Sequence, residues 1–401
     1  MQKRTPINWE SPLTKQSLLD LQETIFLQGR DSRVVRSAFA YSRLKKQGLA
    51  RVAQGWRGLT QKQKKPSDHL RIFFWLPGGI GDAACARRLV SAYLSLMPGA
   101  EAEIYSPVTG AVETIFAGLK GIKSASCVKQ YWGNYDLVVF ACLGVKFLAS
   151  DENRLAKLAP EFLPTYTQAK SAQAQLGFLL EDPFLTELAL GRWLRYMGGK
   201  RFDLLSFTGG IDLTENRTEK IPVDLSKLAS WGLTPHNYLT FHDASQEEQL
   251  ATRMWPREHW EALLQKIKEQ YPTLKIVQLG TRDNPAYLQA DICLCGKTIL
   301  SDLPSLLEGS LLHVDTESGL VHLAQYLSTK SVVLFGPSEK NFFAYQKNIN
   351  LAAGECGGCM WSVPNWMNIC ALSKGEASCL RAITPLAVWQ AMEPVLKGQA
   401  R

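Results

Sequence analysis

The chain has 401 residues, of which 46% are hydrophobic and 20% charged, and its formal net charge is +8. This composition is typical of a folded protein long enough for two domains, and it excludes a disordered or fibrous chain. The longest mostly apolar run, from Leu137 to Ala149, contains Lys146 and is too short to span a bilayer. The first residues also lack the pattern of a signal peptide, so we expect a cytoplasmic protein.

The positive charge is concentrated in residues 1–66, which we call the basic arm. The arm holds 14 Lys or Arg and 4 Asp or Glu, a net charge of +10, which leaves −2 for the remaining 335 residues. Basic and apolar side chains alternate from Arg30 to Leu59, as in a basic amphipathic helix that docks on anionic lipid. A solvated helix fits the same pattern. Nucleic-acid binding fits less well, because no reader motif accompanies the charge.

Strand and helix patterns alternate after a linker that ends at Pro66. Arg71–Leu76 has the pattern of a buried strand, and the turn Pro77–Asp82 leads into a helix. Further strand patterns lie at Glu103–Tyr105 and Asp136–Phe140. This alternation predicts a parallel sheet covered on both faces, so the first domain should be Rossmann-like.

A second unit of the same kind begins at Tyr238–His242. Its first long helix starts at Trp255–Pro256, where proline fits because the missing N–H costs nothing in a first turn. The patterns that follow are Lys275–Gly280, Ile292–Gly296, Leu303–Glu308 and Leu311–Val314. We predict the basic arm (1–66), two Rossmann-like domains (67–230 and 231–350), a Cys-rich segment (351–380) and a C-terminal helix (381–401).

The stretch Val314–Ala324, followed by Ser331–Pro337, predicts a strand, a tight polar turn, a helix and another strand. A helix N-terminus offers unpaired backbone N–H groups, so the Ser318–Gly319 turn suits phosphate and indicates a nucleotide site. The alternative is that Ser318 only caps the helix. The apolar stripe of this helix leaves His322 to one side, and we expect His322 to be available to a ligand.

A glycine-rich turn, Gly78–Ala84, follows the first strand. It fits Gly-x-Gly-x-x-Ala, the weak form of the dinucleotide fingerprint, but the second strand ends in Tyr105-Ser106-Pro107 without an acidic residue to hold a ribose. A dehydrogenase is therefore disfavoured. Asp82 lies at the mouth of the turn, where it is placed to act as a general base on a hydroxyl. The alternative is that Asp82 caps the helix.

Four pieces together resemble glycosyltransferase family 9, the bacterial heptosyltransferases that build the lipopolysaccharide inner core. They are Gly78-Gly79-Ile80-Gly81-Asp82, Arg253-Met254-Trp255-Pro256, Ser318-Gly319-Leu320-Val321-His322-Leu323-Ala324 and Val333-Leu334-Phe335-Gly336-Pro337. They follow the family's order, and the resemblance covers residues 71 to 395. It implies a GT-B fold, in which two Rossmann-like domains face each other across a cleft. It also implies inverting transfer of heptose from ADP-heptose without a catalytic metal.

The resemblance implies roles for individual residues. Asp82 falls on the family's general base, and Arg253 falls on the basic residue of its Lys-x-Trp-Pro motif. The implied donor-binding residues are Gly79, Ile80, Asp315, Thr316, Ser318, Gly319, Leu320, Val321 and His322. Two departures are visible: arginine replaces lysine, which keeps the charge but substitutes a planar fork for a compact ammonium, and Thr316-Glu317 makes the turn differ from the shorter variants in the family.

The sequence agrees with metal-independent chemistry on separate grounds. It contains no Asp-x-Asp, the arrangement with which metal-dependent sugar transferases hold a diphosphate. The charge of the leaving group must then be met by Arg253, His322 and the helix N-terminus.

The implied acceptor is a hydroxyl of the lipopolysaccharide inner core at the cytoplasmic face of the inner membrane, where the basic arm would dock. A protein hydroxyl is the rival acceptor, because related heptosyltransferases modify autotransporter adhesins. Outside the enzyme class, the alternative is a catalytically silent module that binds a nucleotide sugar. The presence of both Asp82 and Arg253 argues against that alternative, since a pure binder needs no base.

Four cysteines lie close together near the C-terminus: Cys356, Cys359, Cys370 and Cys379. The Cys-x-x-Cys pair is the usual first half of a Cys₄ zinc or iron site, so we predict a structural metal. Four reduced thiols are the alternative, and disulfides are disfavoured in the cytosol. Cys293 and Cys295 alternate on a predicted strand and are expected to be core residues.

Overall fold

The computed structural model describes residues 67–128, 132–180, 186–243, 251–354, 356–362, 366–370, 372 and 378–399. The basic arm lies outside these residues, so its membrane role stays a prediction. The described residues form two sheets, each with its own set of helices.

The first sheet has five strands in the order β3-β2-β1-β4-β5. They are β1 (Arg71–Trp75), β2 (Glu101–Tyr105), β3 (Ile122–Ser124), β4 (Leu137–Ala141) and β5 (Val145–Ser150). Ile72, Phe73 and Phe74 are fully buried because β1 is central and both of its faces are covered. β5 pairs antiparallel with β4, since the few residues between these strands allow a hairpin but not a crossover.

The helices of this half surround the sheet and extend beyond it. They are α1 (Ile80–Ser95), α2 (Ala111–Ile115), α3 (Glu152–Leu158), α4 (Leu163–Leu176), α5 (Arg192–Tyr196) and α6 (Arg201–Gly209). The apolar residues Cys85, Leu89 and Tyr93 of α1 are buried. A π-helical turn, Thr186–Gly191, leads into α5.

The second sheet has six strands in the order β11-β10-β9-β6-β7-β8. They are β6 (Tyr238–His242), β7 (Lys275–Leu279), β8 (Ile292–Cys293), β9 (His313–Thr316), β10 (Ser331–Phe335) and β11 (Ile349–Ala352). All neighbouring strands pair in parallel, as expected for β-α-β units.

The helices of the second half are α7 (Arg257–Gln270), α8 (Leu303–Glu308), α9 (Gly319–Ala324), α10 (Lys340–Phe343), α11 (Ser378–Arg381) and α12 (Pro385–Gln399). Pro256 stands at the N-cap of α7, and the stripe that includes Trp260, Leu263 and Ile267 is fully buried. Short 3₁₀ turns at Leu225–Trp231 and Ala251–Arg253 complete the connections.

The strand order reverses beside the central strand of each sheet, at β1 in the first and β6 in the second. Open α/β sheets form ligand sites outside the carboxyl ends of the strands at such points. The turn after β1 carries Asp82, and the turn after β9 carries Ser318. Both predicted motifs therefore lie at positions where ligand sites form in sheets of this kind.

The two halves meet where α1 packs against α9. A Cβ atom at Gly81 would lie 2.8 Å from the His322 ring and 3.5 Å from the Gly319 Cα, so only glycine permits this approach. Tyr326 reaches back and donates its hydroxyl hydrogen to the carbonyl of Ala84, at 2.6 Å. The turns that carry the two motifs are thereby held in contact.

The predicted fold class, two mainly parallel α/β domains, is confirmed. Three strands were absent from the prediction: the short β3 and β11, and the six-residue β5. Within the described residues, no helix combines the length and the apolar character needed to cross a membrane.

Candidate active site

Asp82 lies in the first turn of α1, just beyond the carboxyl end of β1. The N-cap position is occupied by Gly79, which disfavours the alternative that Asp82 is a helix cap. The Asp82 side chain is 41% exposed, so its carboxylate can reach a molecule in the cleft. A Cβ atom at Gly78 would lie 2.3 Å from Asp82 Oδ2, and glycine there keeps space for this carboxylate.

Arg201 is the ion-pair partner of Asp82. Its Nη2 lies 3.2 Å from Asp82 Oδ1, and the guanidinium is almost fully buried. The same guanidinium donates to the carbonyls of Cys142, at 2.9 Å, and Leu143, at 3.3 Å. Arg201 therefore links Asp82, the predicted base, to the turn between β4 and β5 by hydrogen bonds.

Glu187 adds a second carboxyl group on this side of the cleft. Burial and the charge of Asp82 raise the pKa of Glu187, whereas Arg201 lowers it. Glu187 lines a cavity together with Cys142, Lys146 and Leu180. Two of its lining residues, Cys142 and Leu143, are the ones whose carbonyls accept from Arg201.

Asp315, at the end of β9, is buried in a hydrogen-bond network. It accepts from Ser318 Oγ and lies 3.1 Å from His242 Nδ1 and 3.2 Å from His313 Nε2. Burial alone would raise the pKa of Asp315, but His242 and His313 bring it down to about 2. Asp315 thus fixes the turn from inside, and its side chain does not face the cleft.

Ser318 is the N-cap of α9, as the cap alternative predicts, because its Oγ accepts from the Leu320 N–H at 3.2 Å. This bond does not exclude a ligand, since the Ser318 and Gly319 backbone is half-buried rather than covered. However, α9 contains only six residues, so the helix dipole contributes less to phosphate binding at this turn than a long helix would.

Arg253 approaches the same turn from the 3₁₀ segment before α7. Its Nη2 donates to the backbone carbonyl of Glu317 and lies 2.8 Å from Glu317 Oε2. Glu317 also accepts from Ser338 Oγ, at 2.8 Å. Burial alone would raise the pKa of Glu317, but Arg253, His322 and Ser338 lower it to about 2.

The prediction that His322 is available to a ligand is wrong for this structure. The residue is 6% exposed, because α9 packs against α1 and leaves no open side. His322 Nε2 lies 2.9 Å from Glu317 Oε1, and Nδ1 lies 2.7 Å from the Tyr345 hydroxyl. Burial alone would lower the pKa of His322, but Cys85 and Glu317 raise it to about 10. His322 is therefore a buried side chain behind the turn, with both ring nitrogens in hydrogen-bond contact with Glu317 and Tyr345.

The remaining predicted donor-binding residues divide by exposure. Gly79 is exposed and Ile80 is partly exposed, whereas Thr316, Leu320 and Val321 are buried. Their predicted role in donor binding stays a prediction.

Sequence reasoning missed three charged residues of the site. Arg201 and Glu187 belong to no motif and come next to Asp82 only through folding. Glu317 lay inside a quoted stretch, but it appeared only as a departure from the family pattern. The available signal for Glu317 was its charge, directly before the Ser318–Gly319 turn.

The family model described as glycosyltransferase family 9 (heptosyltransferase) matches residues 208–360. This segment of the chain is similar to glycosyltransferase family 9. The match includes Arg253 and the Ser318 turn, whereas Asp82 lies before it. A search of the curated proteins finds no match.

Solved structures similar to this chain share its fold along most of its length. Heptosyltransferase II of E. coli is 15% identical, with a TM-score of 0.50, and the alignment covers 83% of this chain and 100% of that one. The family 9 glycosyltransferase of Veillonella parvula DSM 2008 is 16% identical, with a TM-score of 0.53, covering 84% and 100%.

A third similar structure is the iron-containing dodecameric glycosyltransferase TibC of enterotoxigenic E. coli H10407. It is 16% identical, with a TM-score of 0.56, covering 83% of this chain and 80% of that one. TibC has also been solved in complex with ADP-D-beta-D-heptose. These likenesses establish the GT-B fold of this chain.

The four C-terminal cysteines line one small cavity. Its walls are Thr252, Pro337, Cys356, Gly357, Cys359, Cys370, Leu372, Ser378 and Cys379. Burial, together with the neighbouring Cys356 and Cys359 sulfurs, raises the pKa of Cys379 to about 12. Within the described residues, no three His, Cys, Asp or Glu side chains are arranged to hold a metal ion. The four cysteines of the predicted metal site thus surround one cavity, but their sulfur atoms would have to move closer together to bind a metal ion.

Proposed function

We propose that this glycosyltransferase transfers heptose from ADP-heptose to a hydroxyl of the lipopolysaccharide inner core, with inversion at the anomeric carbon. The observation that carries the proposal is the half-exposed Asp82 carboxylate at the switch point of the first sheet. Its neighbours Ile80 and Gly81 pack against Gly319, in the turn of the second half that Arg253 contacts. In a GT-B enzyme, a base carried by one domain and a cation carried by the other suit an in-line displacement.

In the proposed reaction, the acceptor hydroxyl gives its proton to Asp82 as its oxygen attacks the anomeric carbon. The bond from that carbon to the phosphate oxygen breaks, and ADP leaves with the electron pair. General-base assistance of this kind accelerates a reaction about 10²- to 10⁴-fold. Arg253 meets the charge that develops on the diphosphate, since a guanidinium pairs with phosphate oxygens through two N–H groups.

The donor assignment rests on the family resemblance and on the TibC complex with ADP-D-beta-D-heptose. Metal independence rests on the absence of Asp-x-Asp from the sequence and on the presence of Arg253 beside the turn. The acceptor would place the reaction at the cytoplasmic face of the inner membrane, where the basic arm would bind anionic lipid. A protein hydroxyl stays the alternative acceptor.

The purified full-length protein should be mixed with ADP-heptose, ADP-glucose and UDP-glucose. We expect ADP-heptose to raise Tm most, by the equivalent of about 2.7 kcal/mol at a hundredfold excess over Kd. ADP release should require an acceptor and should persist in EDTA. The acceptor arms are heptose-deficient lipopolysaccharide and an autotransporter adhesin fragment, and the arm that becomes glycosylated identifies the acceptor.

Three results would contradict parts of this proposal. Preference for a uridine donor would reject the donor. Donor binding without transfer to either acceptor would favour the non-catalytic module. Loss of turnover in EDTA that magnesium restores at once would reject the metal-independent mechanism.

We also propose a structural zinc or iron ion at Cys356, Cys359, Cys370 and Cys379. Thiolates are the ligands that both metals take in Cys₄ sites, and the similar TibC is iron-containing. The ion would hold the Cys-rich segment against Thr252 and Pro337, which also line the cavity.

Protein prepared without chelators should contain about one zinc or iron per chain, as expected for a Cys₄ site. Changing Cys356 and Cys359 to serine should lower metal content and Tm together. The matched control changes Cys293 and Cys295, a second close pair, and should leave metal content unchanged. Metal-free protein with an unaltered Tm in the Cys356/Cys359 variant would reject the site.

A further inference from the structure

We propose that Arg201 is a positioning residue that fixes the carboxylate of Asp82 in its reactive orientation. The inference rests on the proposed role of Asp82 as the base, and it adds a residue outside every recognised motif. Arg201 lies 119 residues from Asp82 along the chain, and the fold alone brings the two together.

The guanidinium of Arg201 is anchored independently of Asp82. Arg201 is 4% exposed, and its two terminal nitrogens donate to the carbonyls of Cys142 and Leu143. It is the first residue of α6, whose start is fixed because the Lys200 N–H donates to Asp203 Oδ2 at 2.7 Å. Its position is therefore set before any ligand binds.

The contact with Asp82 uses one carboxylate oxygen and leaves the other available. Arg201 Nη2 donates to Oδ1, while Oδ2 has no hydrogen-bond donor among the described residues and lies over Gly78. A charge-assisted bond to one oxygen restricts rotation of the carboxylate. The second oxygen can then face an acceptor hydroxyl.

Burial makes this arrangement unfavourable unless the charges stay paired. An unpaired guanidinium in the interior costs several kcal/mol by general estimates, so Arg201 strongly favours a nearby anion. Asp82 supplies that anion directly, and Glu187 contributes a second acidic group to the same neighbourhood. Breaking the ion pair between Arg201 and Asp82 therefore costs free energy, and this cost holds Asp82 in place.

An alternative use of Arg201 is direct binding of an anionic group on the acceptor. The two roles predict a different dependence of the Arg201 effect on the presence of Asp82. A residue that acts only through Asp82 loses its effect on turnover once Asp82 is neutralised, whereas a residue that binds acceptor independently keeps it.

The test is a double-mutant cycle on kcat with Arg201→Met, Asp82→Asn and the double variant. We expect Arg201→Met to lower kcat about 10- to 100-fold, because small misplacements of a reacting group cost that much, with donor Kd unchanged. The double variant should be no slower than Asp82→Asn. If Arg201→Met is too unstable to purify, Arg201→Lys carries the same cycle.

Arg87→Met is the matched control. Arg87 is also fully buried, and its guanidinium donates to the carbonyls of Ile115, Ala117 and Glu219 without touching a carboxylate of the site. It should lower Tm but leave the kcat of the folded protein unchanged. Guanidinium ion added to Arg201→Gly should restore part of the lost turnover.

Additive losses in the double variant, or wild-type kcat in Arg201→Met, would overturn the positioning role and leave the proposed function standing. Wild-type kcat in Asp82→Asn would instead reject the base itself. The two failures are therefore distinguishable in one set of proteins.

Discussion

Asp82→Asn is expected to lower kcat at least about 100-fold, the lower bound for loss of a general base, while ADP-heptose binds with nearly unchanged Kd. Asparagine keeps the shape of aspartate and can still accept from Arg201, but it cannot take a proton from the acceptor. In the proposed mechanism this carboxylate acts on the acceptor and makes no contact with the donor, so donor affinity should depend little on its charge. The measurements are ADP release with acceptor present and donor titration without it.

Asp151→Asn is the matched control for this substitution. Asp151 is the N-cap of α3, and its side chain accepts from the Arg154 N–H at 3.1 Å, so it represents the helix-cap role that was the alternative for Asp82. The control should lose about 1 kcal/mol of stability or less and retain full kcat. An Asp82→Asn protein that behaved in the same way would return Asp82 to a structural role.

Long elements and local turns could be predicted from the sequence because their signals are local. Strand β6 and helix α8 lie at the predicted residues, and Pro256 starts α7 as expected. The fold class followed from the alternation of these signals. Strands β3 and β11 are short, and nothing in their own sequence distinguishes them from loops.

Strand β5 was missed for a different reason. Val145–Ser150 continues an apolar run that begins in β4, and the turn between them contains only one glycine as a signal. The hairpin matters for the site, because the carbonyls of Cys142 and Leu143 in its turn anchor Arg201. Because β5 was missed, nothing in the sequence indicated that this turn anchors Arg201, the partner of Asp82.

The site itself was predictable where chemistry is encoded in a short motif, and not where it depends on long-range packing. Asp82 and Arg253 stand in recognisable turns, whereas Arg201 carries no signal of its own. His322 illustrates the opposite error. Helical periodicity places it beside the apolar stripe, but α1 covers that side too, so periodicity within one helix could not show its burial.

Arg253→Ala is expected to raise the Kd of ADP-heptose about 10- to 100-fold, the value of a charge-assisted hydrogen bond of 1.5–3 kcal/mol. It should also lower kcat, because the diphosphate gains negative charge as the glycosidic bond breaks. Arg253→Lys should recover much of both losses, since it restores the charge. Arg257→Ala is the control: this arginine lies four residues on and pairs with Glu261 on the surface of α7.

The structure adds a folding effect that must be separated from the binding effect. Arg253 is a main partner of the buried Glu317, whose pKa of about 2 lies below the ordinary 4.5. A lowered carboxyl pKa contributes stability above the ordinary value, and this contribution is lost as pH falls through the lowered one. Without Arg253 the pKa of Glu317 should rise, so Arg253→Ala should be less stable at neutral pH and lose less further stability between pH 4.5 and pH 2 than the wild type. Unfolding measured across this range, beside donor titration at neutral pH, tests both roles. Wild-type donor affinity with the altered stability profile would make Arg253 a partner of Glu317 alone and remove it from the donor site.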